Sequence, residues 1–195
     1  FHSFNELYPY KLYKDKYHLL AVDGSSFTFT RNPLDPDSYF APNNKTTNGY
    51  NQVHVIPVFD ILSKRYTDCI VQPIRKKNEF RALSELIDRH VPVSGSVPIF
   101  IADRGFHSLN VFAHAIEHRA YFIIRATDVK MQRLLACDLP VGQDCFDIRI
   151  DRILTRTTSK KKWLHPELSE KYKTICRDVA FDYIDPEKSP EYSIT

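Results

Sequence analysis

The chain has 195 residues, of which 43% are apolar and 26% charged, and it contains only five glycines. This composition fits one globular domain, or one domain with part of another, and excludes a disordered tail or a fibre. The net charge of +3 allows nucleic-acid binding but does not require it. Apolar runs stay far below the roughly 18 residues of a membrane span, so we expect a cytoplasmic protein with no membrane partner.

Short apolar runs predict five β-strands in the first two thirds of the chain. They lie at Tyr17–Val22, Gln52–Leu62, Tyr66–Ile74, Pro98–Ala102 and Ala120–Ala126. The short polar link before Tyr66 favours an antiparallel hairpin between the second and third strands. Pro57 within the second strand predicts a bulge or a frayed edge, because proline lacks an amide donor. The stretch from Asn32 to Gly49 is rich in Asn and Pro and indicates an extended loop.

Helical periodicity indicates two amphipathic helices. The first covers Asn78–His90, with Asn78 as its N-cap, and its apolar face consists of Phe80, Leu83, Leu86 and Ile87. The second is capped by Ser108 and reaches about Arg119, and its apolar face consists of Leu109, Phe112, Ala113 and Ile116. The element order β-β-β-α-β-α-β predicts a mixed sheet with helices packed on it.

Two of the strands end in an acid, Asp23 after Val22 and Asp103 after Ala102. If the first and fourth strands are neighbours, these acids converge at one edge of the sheet. Two carboxylates about 4 Å apart repel by roughly 4 kcal/mol at an effective dielectric of 20. Mg²⁺ or Mn²⁺ would relieve that repulsion and suits phosphodiester chemistry. The alternative is that each Asp only caps a turn.

Four motifs in chain order resemble the DDE transposases of the insertion sequence 4 family. They are Leu20-Ala21-Val22-Asp23-Gly24-Ser25, Phe59-Asp60, Ile101-Ala102-Asp103-Arg104-Gly105-Phe106-His107-Ser108 and Phe122-Ile123-Ile124-Arg125. The resemblance runs from about Tyr17 to Thr127. It implies a ribonuclease-H-like α/β fold, with a mixed five-stranded sheet flanked by helices over residues 1–127. It also implies part of a β-rich insertion domain over residues 128–195.

The same resemblance assigns Asp23 and Asp103 as catalytic residues, the first two ligands of a metal-binding triad that holds two Mg²⁺ or Mn²⁺ ions. In the family the third acid lies in a Tyr-x-x-Arg-x-x-x-Glu pattern, and nothing after Asp103 matches it. We therefore expect the chain to stop within the insertion domain and to be inactive by itself. A decayed, truncated element would look the same.

The function that follows is metal-dependent phosphodiester hydrolysis and strand transfer in DNA transposition. The expected partners are transposon ends and target DNA, with a homodimer in a synaptic complex and a location at the nucleoid. Two alternatives stay open. One is a ribonuclease-H-like nuclease that only hydrolyses DNA, and the other is a non-catalytic DNA-binding remnant.

Basic residues supply the DNA-binding candidates. Arg104 and Arg125 stand beside the proposed carboxylates and could hold phosphate oxygens, or could form structural ion pairs. Lys160, Lys161 and Lys162 beside Trp163 could follow a DNA backbone and stack on a base, although a solvated loop is the commoner meaning of such a run.

Other motifs are weaker. His114-Ala115-Ile116-Glu117-His118 matches a zinc-binding H-x-x-E-H pattern. The predicted helix, however, places His114, Glu117 and His118 mainly on the solvent side, and no third ligand follows. Asp60 and Asp68 flank the predicted hairpin, and acids in such places are more often turn or hairpin-end residues than ligands.

Overall fold

The structure, a computed structural model, describes residues 9–44, 46–93, 95–125, 145, 147–149, 152–155 and 191–194. Its main sheet has seven strands: β1 Tyr17–Val22, β2 Ser25–Phe29, β3 Tyr39–Phe40, β4 Tyr50–Asp60, β5 Arg65–Pro73, β6 Val97–Ala102 and β7 Tyr121–Ile124. Two α-helices lie between strands, α1 Glu79–Asp88 and α2 Leu109–Glu117. Short 3₁₀ turns occupy Ile74–Lys76 and Arg104–Phe106. A second sheet joins β8 Arg152–Thr155 to β9 Glu191–Ile194.

The main sheet is mixed, with strand order β2-β4-β1-β6-β7 and with β3 and β5 also paired to β4. β1 runs antiparallel to β4 and parallel to β6, and β6 runs parallel to β7. The predicted mixed sheet is therefore confirmed, and so is the pairing of the first and fourth predicted strands.

The prediction of five strands is wrong, because the sequence pattern does not reveal β2 and β3. All five residues of β2 are exposed, so the strand lacks the alternation of buried and exposed residues that marks a half-buried strand. β3 has only two residues and lies within the Asn- and Pro-rich stretch whose composition predicts a loop.

The core lies between one face of the sheet and the two helices. Alternate residues of β1 and β6 are buried, as expected when one face of a strand is covered. The buried core side chains are Leu20, Val22, Ile56, Val58, Ala82, Leu83, Leu86, Ile87, Phe100, Ala102, Phe106, Val111, Ala115 and Ala120.

Both helices form where predicted, but their buried faces differ from the predicted ones. In α1 the buried arc is centred between Leu83 and Leu86, so Phe80 lies at its margin and is 39% exposed. α2 packs against both α1 and β7. As a result its buried arc widens to include Val111 and His114, whereas Ile116 is only half-buried.

β4 changes neighbours along one edge, because residues 51–55 pair with β2 and residues 58–60 pair with β1. Pro57 lies at the break between these two stretches, where an amide donor is least needed on that edge. The pairing of β4 with β5 also shifts register between Val58 and Phe59. The predicted bulge near the proline is thereby confirmed.

The last third of the chain contains the second, two-stranded sheet. β9 pairs antiparallel with β8, with Arg152 opposite Ile194. A strand of four residues is too short for periodicity to reveal. Most of the predicted β-rich insertion domain over residues 128–195 lies outside the described residues, and the domain boundary at residues 127/128 stays a prediction.

Candidate active site

Three of the predicted site residues follow three neighbouring parallel strands at the same height. Val22 of β1 is in register with Ala102 of β6, and Ala102 is in register with Ile124 of β7. The next residues along the three strands are Asp23, Asp103 and Arg125. Because adjacent strands lie about 4.8 Å apart, these residues form a row along one edge of the sheet. An arginine thus stands beside the two acids.

The two acids are exposed, and each also caps its own turn. Asp23 Oδ1 accepts a hydrogen bond from the amide of Gly24 at 2.8 Å. Asp103 Oδ1 accepts one from the amide of Gly105 at 2.7 Å and caps the 3₁₀ turn that follows. Each Asp therefore caps a turn, as the alternative interpretation predicts. These bonds, however, use only one oxygen of each carboxylate. The other oxygens stay accessible to a cation.

The donor set fits a hard divalent cation. Within the described part of the chain, neither Asp23 nor Asp103 forms a salt bridge with a Lys or Arg. Exposed carboxylates that no basic side chain neutralises are the oxygen ligands that Mg²⁺ and Mn²⁺ take. No group of three or more His, Cys, Asp or Glu suited to a metal occurs among the described residues. Within the described residues, the two acids thus make up only part of a metal site.

Asp60 lies at another place along β1 and has a structural role. It pairs with Leu20, three positions before Asp23, and its side chain is fully buried. Its Oδ1 accepts hydrogen bonds from the amides of Leu62 and Ser63, and its Oδ2 lies 3.1 Å from His18 Nε2. Burial by itself would raise the pKa of Asp60, but the hydrogen bonds from Ser63 and His18 outweigh burial and hold the pKa below its usual value.

Asp68, the other hairpin acid, is also structural. Its carboxylate accepts two hydrogen bonds from the guanidinium of Arg89, at 2.8 and 2.7 Å. The expectation that Asp60 and Asp68 are hairpin residues is therefore confirmed.

Arg104 and Arg125 are exposed, and neither takes part in a salt bridge among the residues that the structure describes. This disfavours the structural ion-pair alternative. An unpaired guanidinium beside two carboxylates is suited to a phosphate group, because its planar fork matches two phosphate oxygens. Lys160, Lys161, Lys162 and Trp163 lie outside the described residues.

The H-x-x-E-H motif of α2 is not the zinc site that its spacing suggests. His114 was expected on the solvent side, but it is buried, with only 3% of its surface exposed. The error arises because α1 covers this side of α2: Asp88 Oδ1 of α1 lies 2.7 Å from His114 Nδ1 and 3.3 Å from His118 Nε2. The two histidines therefore fasten α2 to the end of α1.

The sequence does not predict one pair of side chains beside the acids, His54 and Glu79. Gly24, next to Asp23, lies against the side chains of His54 in β4 and Glu79 in α1. His54 Nε2 and Glu79 Oε1 are 2.8 Å apart. The two residues are 25 positions apart in sequence, in a strand and a helix, so no local motif reveals their contact.

Comparison with known proteins identifies the class. The family model for the transposase DDE domain matches residues 14–193, and the chain belongs to this family. Among solved structures, the cryo-electron-microscopy structure of a piggyBac transposase synaptic complex with hairpin DNA is similar, with a TM-score of 0.40 and 17% identity. That match covers 67% of this chain and 28% of the piggyBac chain, so the present chain spans less than a third of that relative. No curated protein matches the chain.

The helices in the described part of the chain are short. None of them is long and apolar enough to cross a membrane.

Proposed function

We propose that this chain is the catalytic part of a DNA transposase that carries out metal-dependent phosphodiester hydrolysis and strand transfer. The observation that carries the proposal is the register of β1 and β6, which brings Asp23 and Asp103 to adjacent positions in a chain of the transposase DDE domain family. The four sequence motifs further support an assignment to the insertion sequence 4 family, with a ribonuclease-H-like core.

In this proposal Asp23 and Asp103 hold Mg²⁺ or Mn²⁺, two ions in the intact enzyme. A divalent ion held by these carboxylates would supply Lewis-acid chemistry for the attacking water or 3′-hydroxyl and for the leaving oxygen. The chain's own carboxylates fix where the scissile phosphate must lie, at the end of β1 and β6. The third acid of the triad would come from a segment with the Tyr-x-x-Arg-x-x-x-Glu pattern. Without that acid, we expect the chain by itself to be inactive.

DNA is the proposed partner, both at transposon ends and as the target, with a homodimer in a synaptic complex at the nucleoid. Arg104 and Arg125 would hold phosphate oxygens beside the acids. The run Lys160, Lys161 and Lys162 with Trp163 would follow the DNA backbone farther away.

The test uses a longer protein that contains this chain and continues to a third acid. Incubated with Mg²⁺ and DNA that carries the element's ends, it should cleave those ends and join them to target DNA. Asp23→Asn and Asp103→Asn should each abolish both steps, whereas Asp68→Asn, which alters the bonds to Arg89 and to the Cys69 amide, should not. Cleavage without joining would replace the proposal by a hydrolytic nuclease. DNA binding with no metal requirement and no cleavage would replace it by a non-catalytic remnant.

A further inference from the structure

The backbone beside the first acid lies unusually close to two side chains. A Cβ atom added to Gly24 would be 2.7 Å from His54 Nε2 and 2.9 Å from Glu79 Oε1. Both distances are shorter than real Cβ atoms show, so a larger residue at this position would have to displace the His54 ring and the Glu79 carboxylate. The turn that carries Asp23 therefore rests directly on the His54–Glu79 pair.

His54 is held firmly within the sheet. It is opposite Ser26 of β2 and Gln72 of β5, and its side chain is 3% exposed. Its Nδ1 lies 3.1 Å from the Ser26 hydroxyl. Its Nε2 is within ion-pair distance of Glu79 but is not aligned with it as a hydrogen bond. The imidazole ring of His54 is thus held in place directly against Gly24.

Glu79 is held at the start of α1. The preceding residue, Asn78, is the N-cap, and its side chain accepts a hydrogen bond from the amide of Arg81 at 3.0 Å. The Gln72 side chain of β5 accepts from the Asn78 amide at 2.8 Å and donates to the Asn78 carbonyl at 3.3 Å. The first turn of α1 is thereby fixed to the sheet, and Glu79 with it.

The turn at Asp23 needs such a support because strand pairing stops there. On the β4 side, pairing with β1 ends at Val22 opposite Val58, and pairing with β2 begins at Ser25 opposite Val55. Asp23 and Gly24 fall in the gap between these two ladders. α1 also contacts the 3₁₀ turn that follows Asp103. One helix therefore touches the turns of both acids.

We propose that the His54–Glu79 pair is a positioning element for the metal site, which sets the height and direction of the Asp23 carboxylate by supporting Gly24. This inference rests on the proposed function, because it assumes that Asp23 binds the divalent ion. Ligand positions must be held to within about 0.5 Å for tight coordination, and residues behind the ligands supply that precision.

The test measures Mn²⁺ affinity of the chain by electron paramagnetic resonance, which counts free Mn²⁺ and records the spectrum of the bound ion. Glu79→Gln, His54→Gln and Gly24→Ala should each weaken Mn²⁺ binding by roughly tenfold and change the bound-ion spectrum. Glu85→Gln is the matched control, since Glu85 lies in the same helix, is 55% exposed and pairs with Arg89. It should bind Mn²⁺ as the unmodified chain does.

Thermal unfolding of each variant separates positioning from loss of fold. Glu79→Gln changes an acid that is 30% exposed, so we expect this variant to stay folded and to be the decisive one. If Asp23→Asn abolishes Mn²⁺ binding while folded Glu79→Gln and Gly24→Ala bind normally, the positioning role is wrong and the proposed function stands. If Asp23→Asn leaves Mn²⁺ binding unchanged, the metal site of the proposed function itself is wrong.

Discussion

His18 Nε2 and Asp60 Oδ2 lie 3.1 Å apart, and both side chains are almost completely buried. The pair joins β1 to the end of β4, whereas Asp23 follows the other end of β1. Burial lowers the pKa of His18 and the hydrogen bond to Asp60 opposes that change. One strand thus carries a stabilising pair at its beginning and a candidate ligand at its end, and mutations can separate the two roles.

Asp60→Ala should destabilise the fold without weakening Mn²⁺ binding. The substitution leaves the amides of Leu62 and Ser63 and the His18 ring without their acceptor, at a cost of about 2 to 4 kcal/mol. Urea denaturation measures this change. Asp68→Ala is the control and should cost at most about 1 kcal/mol, because the Asp68–Arg89 pair is partly exposed. A large loss of Mn²⁺ affinity in folded Asp60→Ala would contradict the purely structural role and make Asp60 a candidate metal ligand.

Acid should destabilise the protein through His90. Burial, followed by the charge of His18, lowers the pKa of His90 to about 4 from an ordinary value of 6.5. The unfolded chain therefore binds this proton more readily than the folded one. Stability is fully present above the unfolded pKa and falls as the pH drops from about 6.5 towards 4.

His90→Phe removes this proton-binding group while keeping a ring next to Phe100. Between pH 7.5 and pH 5, the free energy of unfolding should fall by about 2 kcal/mol less in the variant than in the unmodified chain. Urea denaturation at the two pH values gives the difference. Equal pH dependence in both proteins would show that His90 does not carry the effect.

Some features of the structure can be predicted from the local sequence pattern, whereas others depend on tertiary contacts. β1 and β6 are predictable because each is an apolar run that stops at an acid, and the βα connections favour placing them side by side. β2 is not predictable, because a fully exposed strand shows no alternation of buried and exposed residues. The His54–Glu79 contact depends on where α1 begins over the sheet, and His114 is buried only because Asp88 of another helix receives it. Both contacts result from the packing of separate elements, so no local sequence pattern predicts them.

The two helix N-caps should respond differently to mutation. Asn78→Ala should cost about 1 kcal/mol, because the Asn78 side chain accepts a hydrogen bond from the Arg81 amide. Ser108 occupies the same position in α2, but its side chain makes no capping bond and its buried hydroxyl has no hydrogen-bond partner in the described structure. Ser108 thus occupies the predicted N-cap position without the capping bond, and Ser108→Ala should change stability by less than about 0.5 kcal/mol. Thermal unfolding of both variants checks the contrast.

DNA binding by the chain should be weak, because the net charge is only +3. It should also depend steeply on salt, because it would rest on contacts with phosphates. Arg125→Gln and Arg104→Gln should each weaken binding and lower the salt slope by about 1. Arg89→Gln is the control, since this guanidinium is already bonded to Asp68. Filter binding at two salt concentrations measures the slopes. Nanomolar binding that is insensitive to salt, or no effect of either substitution, would contradict the phosphate-binding role.

The central claim is that Asp23 and Asp103 bind the same divalent ion, and a double-mutant cycle of Mn²⁺ affinity tests it most directly. Binding to the unmodified chain should be weak, because two carboxylates supply few protein ligands and such ions keep their waters. If the ligands share one ion, Asp23→Asn or Asp103→Asn alone should remove nearly all binding, and the double variant should lose little more. Independent losses that add in the double variant, or binding that survives both substitutions, would contradict the shared site.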